Sequence, residues 1–303
     1  MPTATTPAGV EIYYETVGSP TDPPLLLVMG YGGQLIAWPR AFSAALAAGG
    51  RFVIEFDNRD SGFSTKFDDR EVDLGALVAA AEAADDERVL EIAPYTLSDI
   101  VDDCVAILDD LGIGRAHVLG VSMGGMIAQQ MAIERPDRLL TLISMMSTTG
   151  EPEYGTSTPE ALTALLKPSP PERDAYIQVS ADKAMTWASR RYGSRARAEA
   201  LAAASYDRCF YPQGASRQLA AILATGPRAA GLRELAVPTL VVHGLDDTLI
   251  APDGGERTAE LVPGARLLLV EDMGHDRPEE LWPLLVEAIL EHTGAPLPEP
   301  AGE

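Results

Sequence analysis

Residues 116–134 read AHVLGVSMGGMIAQQMAIE, and this stretch decides how the chain folds. Its centre, GVSMG at 120–124, follows an apolar run typical of a buried strand and precedes a segment typical of a helix. A serine with a glycine two residues away on each side, between a strand and a helix, is the sequence form of a nucleophile elbow. Side chains at Gly120 or Gly124 would collide with the neighbouring backbone, and the turn strains the serine so that its hydroxyl projects. The stretch predicts Ser122 as a nucleophile; the alternative is a glycine-rich turn whose serine only faces solvent.

The length and charge of the chain restrict the class of protein. At 303 residues, the chain suits a single large α/β domain with an inserted subdomain. Its 45 acidic and 23 basic residues give a formal net charge of −22, which repels phosphate backbones and anionic lipid headgroups. We therefore expect no nucleic acid and no membrane as a partner, and we expect the acidic side chains to form a solvated surface.

The cysteines and the N-terminal residues carry no sign of metal binding or export. Cys104 and Cys209 lie far apart without the spacing of a metal site, so both are expected to be plain buried thiols. Met1–Pro7 has neither the basic nor the apolar region of a signal peptide, and no apolar run reaches about 18 residues. The sequence predicts a soluble cytoplasmic protein.

Apolar runs and alternating segments predict further strands, separated by stretches with helical periodicity. The strands are Val10–Val17, Pro24–Met29, Arg51–Phe56, Leu139–Met145, Pro238–His243 and Arg266–Val270. The helices between them are Trp38–Ala48, Leu97–Leu111, Gly125–Arg135, Gly254–Leu261 and Pro278–His292. Strands that alternate with helices predict a mostly parallel central sheet flanked by helices. Functional groups then lie beyond the carboxyl ends of the strands.

Two segments depart from this alternation. Residues 66–94 are rich in alanine and acidic residues, and predict a short helical excursion or a mobile flap. Residues 149–232 contain several helical segments but no convincing strand, so they are expected to form a helical cap over a core made of 1–148 and 233–293. The last segment, 294–303, is rich in proline and glutamate and is expected to be disordered.

A serine needs a base within reach and an acid that orients the base. Among four histidines, His275 follows a glycine in a short loop between the last strand and the last helix, a position from which an imidazole reaches the elbow. The other histidines lie in a strand, at a strand end or near the end of the last helix. For the acid, Asp246 and Asp247 both follow a strand, and we favour Asp247 from its spacing to Gly244 and Pro252. Serine, aspartate and histidine then occur in the order expected for an α/β hydrolase.

A nucleophilic serine of this kind also needs two N–H groups directed at the oxygen that becomes negatively charged. Met123, next to the nucleophile, supplies one at the start of a helix, where the helix dipole favours negative charge. The loop Gly30–Gly33 follows a predicted strand, and its glycines allow close backbone approach. Tyr31 is the expected second donor; the alternative is a plain turn.

These motifs resemble the α/β-hydrolase superfamily, and within it the bacterial capped carboxylesterases of the aclacinomycin methylesterase type. The resemblance rests on LVMG at 27–30, WP at 38–39, FDNRDSGFS at 56–64 and GVSMG at 120–124. It implies an α/β-hydrolase fold with an inserted helical cap and a triad of Ser122, Asp247 and His275. The chain departs from many relatives at Met29, where histidine is common.

The sequence therefore predicts a serine carboxylesterase that acts through an acyl-enzyme on a small to medium hydrophobic ester, with no metal and no cofactor. Dehalogenases and epoxide hydrolases of similar fold carry aspartate at the position of Ser122, and iminopeptidases usually carry tryptophan at the position of Met123. The alternatives left open are a carbon–carbon bond hydrolase or perhydrolase with the same triad, and a non-catalytic ligand-binding protein. The oligomeric state is not predicted.

Overall fold

A computed structural model describes residues 2–294 of the chain. The predicted disordered tail therefore lies outside the described residues, apart from Gly294. Within the described part, eight strands form one sheet in the order β1-β2-β4-β3-β5-β6-β7-β8. The strands are β1 (Thr3–Thr5), β2 (Glu11–Val17), β3 (Pro24–Val28), β4 (Phe52–Phe56), β5 (Ala116–Val121), β6 (Leu139–Met145), β7 (Thr239–Gly244) and β8 (Arg266–Val270).

The two N-terminal strands are antiparallel to their neighbours, and all later pairs are parallel. The mostly parallel sheet predicted from the sequence is confirmed, and each predicted strand is present with ends shifted by two residues or fewer. The prediction missed β1, because three residues reading Thr-Ala-Thr are too short to show a period of two.

Twelve α-helices lie in residues 2–294. They are α1 (Arg40–Ala48), α2 (Leu74–Glu82), α3 (Asp86–Ile92), α4 (Leu97–Asp110), α5 (Met123–Glu134), α6 (Pro159–Leu166), α7 (Arg173–Trp187), α8 (Arg195–Cys209), α9 (Gly214–Thr225), α10 (Ala229–Arg233), α11 (Pro252–Leu261) and α12 (Trp282–His292). None of them is long and apolar enough to cross a membrane.

Helices cover both faces of the sheet, and β3 shows why its sequence is apolar throughout. Leu26 and Val28 pack into the cluster that contains α4 and α5, whereas Leu25 and Leu27 pack into the cluster on the opposite face, with α1 and α12. All four side chains are fully buried. A strand buried on both faces has no polar side to alternate with, so it reads as a continuous apolar run.

The segment between β6 and β7 is a helical insertion that contains α6 to α10. Two of these helices, α7 and α8, pack against each other, while α10 packs against α5 and α11 beside the sheet. The predicted excursion at 66–94 is helical: α2 and α3 pack with α9 through a small cluster of Leu77, Ala80, Val89 and Ala220.

One prediction about the cysteines is wrong. Cys104 is fully buried in α4, as expected, but Cys209 is only half-buried. Cys209 ends α8, and its carbonyl oxygen accepts a hydrogen bond from Gln34 Nε2 at 2.9 Å. A helix terminus offers its carbonyls to other partners, and its side chain is less enclosed than one in the middle of a helix.

Candidate active site

The turn between β5 and α5 has the geometry that its sequence predicts. Ser122 lies at φ 56° and ψ −122°, a left-handed conformation that is strained for a residue with a side chain. A Cβ at Gly120 would lie 1.9 Å from Gly124 O, and one at Gly124 would lie 2.0 Å from Val28 O. Both positions therefore require glycine. The Ser122 amide donates to Met145 O at 3.0 Å, which ties the turn to the end of the neighbouring strand β6.

The parallel sheet brings the predicted catalytic residues to one edge. Ser122 follows β5, Asp247 follows β7 and His275 follows β8, and the carboxyl ends of parallel strands share an edge. Asp247 and His275 are in contact: Nδ1 of the imidazole lies 2.7 Å from Oδ2 of the carboxylate. The Ser122 hydroxyl forms no hydrogen bond with any residue in 2–294, so the serine and the imidazole are not joined by one in this structure.

Asp247 is buried and held rigidly at both oxygens. Its Oδ1 accepts hydrogen bonds from the amides of Leu249 and Ile250, each at 2.9 Å, while Oδ2 faces His275. Burial by itself raises the pKa of this carboxyl, but the charge of His275 and the hydrogen bonds from His243 and His275 outweigh it and lower the pKa to about 2. The acid is therefore ionised at neutral pH and fixes the proton of the imidazole on Nδ1.

Asp246, the alternative acid, points elsewhere. Its Oδ2 accepts a hydrogen bond from the backbone amide of Arg190 at 3.2 Å, and its Oδ1 lies 3.5 Å from the guanidinium of the same residue. Asp246 thus joins the helical insertion to the loop after β7. From the sequence, only the spacing to Gly244 and Pro252 favoured Asp247 over Asp246.

His243 supports the acid, a role that the sequence analysis did not assign. It is fully buried at the end of β7, and its Nε2 lies 2.9 Å from Ile250 O and 3.4 Å from Asp247 Oδ2. Because a carbonyl oxygen only accepts, Nε2 carries the proton, and Nδ1 is left without a partner among the described residues. A histidine four residues before the acid, directly after the apolar run Leu240–Val242, was the available signal.

The helical insertion holds the loop that carries His275. The backbone amide of His275 donates to Trp187 O at 2.7 Å, and Asp276 Oδ1 accepts from the amide of Ser189 at 3.0 Å. A Cβ at Gly274 would lie 2.4 Å from Trp187 O, so the glycine that precedes the histidine is required for this close packing. The segment after α7 therefore sets the position of the His275 backbone.

The loop Gly30–Gly33 lies against the elbow, since β3 pairs with β5 and both strands end at this edge. A Cβ at Gly30 would lie 3.1 Å from the Cβ of Ser122. Neither the amide of Tyr31 nor that of Met123 donates a hydrogen bond within residues 2–294, so both predicted donors are unengaged. Met29 is buried, and its carbonyl accepts from Asn58 Nδ2 at 2.9 Å.

The segment 56–64, noted above only for its resemblance to the family, joins the core to the insertion. Asp57 accepts from Arg208 Nη2 at 2.7 Å, and Asp60 forms a two-pronged pair with Arg217 at 2.9 Å for each bond. The two carboxylates are fully buried, and the arginines belong to α8 and α9. The bidentate pair of Asp60 and Arg217 fixes relative orientation as well as distance.

The fold and this edge define the class of protein. A family profile described as alpha/beta hydrolase fold matches residues 23–280, and the chain belongs to that family. The chain is 28% identical to rhodomycin D methylesterase DauP of Streptomyces sp. (strain C5), over 94% of this chain and 96% of the relative. It has the same identity and coverage with rhodomycin D methylesterase DnrP of Streptomyces peucetius.

The solved structures support the same fold. The enol-lactonase from Burkholderia xenovorans LB400 superposes with a TM-score of 0.72 at 21% identity, over 97% of this chain and 100% of that one. The resemblance to bacterial methylesterases and the α/β-hydrolase fold, both predicted from the sequence, are thereby confirmed. Family membership and the methylesterase relatives support a hydrolase.

Proposed function

We propose that the chain is a serine carboxylic-ester hydrolase that forms an acyl-enzyme with a small to medium hydrophobic ester. The observation that carries the proposal is the 2.7 Å hydrogen bond between His275 and the buried Asp247, at the same sheet edge as the strained turn of Ser122. An imidazole oriented through Nδ1 leaves Nε2 free to take a proton, which is what a serine hydroxyl needs in order to attack a carbonyl.

The chemistry proceeds in two steps. His275 Nε2 takes the hydroxyl proton while Ser122 Oγ bonds to the ester carbonyl carbon; the bond to the alcohol then breaks, and the leaving alkoxide receives that proton from His275. In the second step His275 takes a proton from water as the water oxygen attacks the acyl carbon. The carboxylic acid leaves, and Ser122 regains its proton. The net reaction consumes one water and requires no metal or organic cofactor.

Two backbone amides stabilise the oxyanion in this proposal. The amide of Met123 lies at the first turn of α5, and that of Tyr31 lies in the loop against Ser122. Each such donor contributes roughly 3 kcal/mol to transition-state stabilisation in a site of this type. Gly30, Gly120 and Gly124 support the arrangement because side chains there would displace the loop or the turn.

Methyl esters of hydrophobic acids are the substrate class we propose first. The two Streptomyces relatives are named as methylesterases, and they align along nearly all of this chain. We also propose that 149–232 act as a cap over a core of 1–148 and 233–293, and that the enzyme works in the cytoplasm on a small molecule. Neither nucleic acid nor a membrane is part of this proposal.

The test is Ser122→Ala, assayed on 4-nitrophenyl butyrate and on a panel of aryl and alkyl methyl esters. We expect the variant to lose turnover while its thermal unfolding stays unchanged, and we expect a fluorophosphonate probe to label Ser122 in the wild-type protein alone. Turnover near the wild-type rate in the variant would overturn the proposal. Probe labelling separates an enzyme from a binding protein, and hydrolysis of vinylogous diketones or perhydrolysis in place of ester cleavage would favour the same-triad alternatives.

A further inference from the structure

The loop that carries Tyr31 is held on one side by a residue of the insertion. Gln218 lies in α9, is fully buried, and accepts a hydrogen bond from the amide of Gly32 through Oε1 at 2.8 Å. Its Nε2 donates to Arg59 O at 2.9 Å. One partner is an obligate donor and the other an obligate acceptor, so the chemistry leaves a single orientation for the side-chain amide.

The anchor of Gln218 is rigid on the core side. Arg59 is buried, and its guanidinium forms two 2.7 Å hydrogen bonds to the carboxylate of Asp103 in α4. The backbone carbonyl of Arg59 accepts the hydrogen bond from Gln218 Nε2. The preceding residue of α9, Arg217, forms its own bidentate pair with Asp60. The core therefore fixes the position of the Gln218 side chain, and this side chain in turn fixes the position of the Gly32 amide.

The peptide group that Gln218 holds forms no other hydrogen bond among the described residues. Within residues 2–294, neither the carbonyl of Tyr31 nor the amide of Gly32 forms a further hydrogen bond, and a Cβ at Gly32 would meet no atom within 4 Å. Gly32 also lies at φ 66°, and glycine exchanges positive and negative φ at little cost. Without the bond to Gln218, no hydrogen bond fixes the orientation of this peptide group, and the glycine at its end offers little resistance to rotation.

The neighbouring peptide group carries the predicted oxyanion donor. Gly30 O accepts from the amide of Gly33 at 3.2 Å, and in a trans peptide the N–H of Tyr31 points opposite to that carbonyl. Gly32 lies inside the turn that this 3.2 Å bond closes. Loss of the bond to Gln218 leaves that long bond as the only backbone–backbone hydrogen bond within Gly30–Gly33, so we expect the turn to widen and the Tyr31 donor to shift. A donor displaced by about 1 Å costs on the order of a hundredfold in rate.

We propose that Gln218 is a positioning residue of the oxyanion hole, through which helix α9 of the insertion fixes the Tyr31–Gly32 peptide. This inference rests on the proposed function. In this inference the insertion completes the oxyanion hole, because the loop takes its catalytic shape only when α9 contacts Arg59 and Gly32. Gln218 then affects the transition state more than substrate binding, since the carbonyl oxygen needs its donors most when it is charged.

The experiment compares variants that each remove one side-chain acceptor of α9 from one core amide. Gln218→Met removes the partner of the Gly32 amide and the donor to Arg59 O. Thr225→Val, at the far end of the same helix, removes the 2.9 Å partner of the Leu97 amide and the donor to Ala221 O. We expect Gln218→Met to lower kcat on 4-nitrophenyl butyrate between about tenfold and a hundredfold. KM should stay within about threefold, and Thr225→Val should change kcat by less than about twofold.

Three further readouts separate positioning from a general loss of structure. Affinity for an aryl trifluoromethyl ketone, whose carbonyl takes up the serine oxygen and becomes an oxyanion, should fall with kcat/KM in Gln218→Met. Exchange of the Gly32 amide should speed up in that variant alone. Gln218→Glu, which keeps an oxygen for Gly32, should have a higher kcat than Gln218→Met.

The outcomes distinguish this inference from the proposed function. Turnover that survives Ser122→Ala removes the proposed function, and the oxyanion role of Gln218 with it. Two outcomes overturn the inference alone. In the first, turnover depends on Ser122 but falls equally in Gln218→Met and Thr225→Val; in the second, the Gly32 amide of Gln218→Met exchanges as slowly as in the wild-type protein.

Discussion

Replacement of Asp247 by asparagine tests the proposed acid and base together. The amides of Leu249 and Ile250 both point at Oδ1, each at 2.9 Å, and only an oxygen accepts from them. The new side chain must therefore place its oxygen there and its NH₂ group in the position of Oδ2, 2.7 Å from His275 Nδ1. An amide nitrogen only donates, so Nδ1 becomes the acceptor and the imidazole proton moves to Nε2.

The size of the effect follows from this tautomer. With a proton on Nε2, His275 has no lone pair for the Ser122 hydroxyl, and the imidazolium formed during the reaction loses its carboxylate. The wrong tautomer in a Ser-His-Asp triad costs about 10⁴-fold in kcat, or about 5 kcal/mol of transition-state stabilisation. Folding should be nearly unaffected, because the asparagine keeps the two backbone hydrogen bonds.

The assay measures kcat on 4-nitrophenyl butyrate together with the free energy of unfolding in urea. The matched control is Asp246→Asn, since Asp246 is adjacent in sequence but bonds Arg190 and not the imidazole. We expect Asp246→Asn to keep kcat within about threefold, because it touches no group of the proposed triad. A loss below tenfold in Asp247→Asn, or equal losses in the two variants, would refute the assignment of the acid.

Two further predictions concern stability. Gly62→Ala should lower the free energy of unfolding by about 3 kcal/mol, because Gly62 lies at φ 47° and a Cβ would lie 2.0 Å from the buried Asp57 carboxylate. Gly112→Ala, at φ 67° but with no atom within 4 Å, should cost only about 1 kcal/mol; equal losses in urea unfolding would contradict this steric argument. Burial raises the pKa of Glu55 from 4.5 to about 7 despite a hydrogen bond from Ser43, so the folded protein retains a proton that the unfolded chain releases. The free energy of unfolding should therefore fall by about 3 kcal/mol from this group between pH 4.5 and pH 7, and Glu55→Gln should remove that fall; identical pH profiles for both proteins would exclude it.

Much of the fold follows from local patterns. The strands β6 and β8 were predicted with the bounds that the structure gives, because each is a short, mainly apolar run that differs from the residues before and after it. The elbow was predictable for a similar reason: its steric demands fall on Gly120 and Gly124, each two residues from the serine. The short edge strand β1 and the exposure of Cys209 lacked such a pattern and were missed or wrong.

The candidate site was predictable only as a set of residue types. The order of Ser122, Asp247 and His275 and their positions after strands predicted one shared edge, and the sheet order places them there. The choice between two adjacent aspartates, and the part played by His243, depended on which side chain faces the imidazole. That direction is set by the turn after β7 and by packing, neither of which leaves a repeat in the sequence.

The sequence by itself determined the strands other than β1, the strained turn and the chemical groups at the ends of the strands, because each depends on residues close together along the chain. Only the tertiary structure decided how the insertion meets the core: Gln218 bonds Gly32 across 186 positions, and Arg208 bonds Asp57 across 151. A hydrogen bond between such distant residues needs only one donor and one acceptor at the right distance. Many polar pairs in the chain satisfy that chemistry, and the folded backbone selects which of them meet.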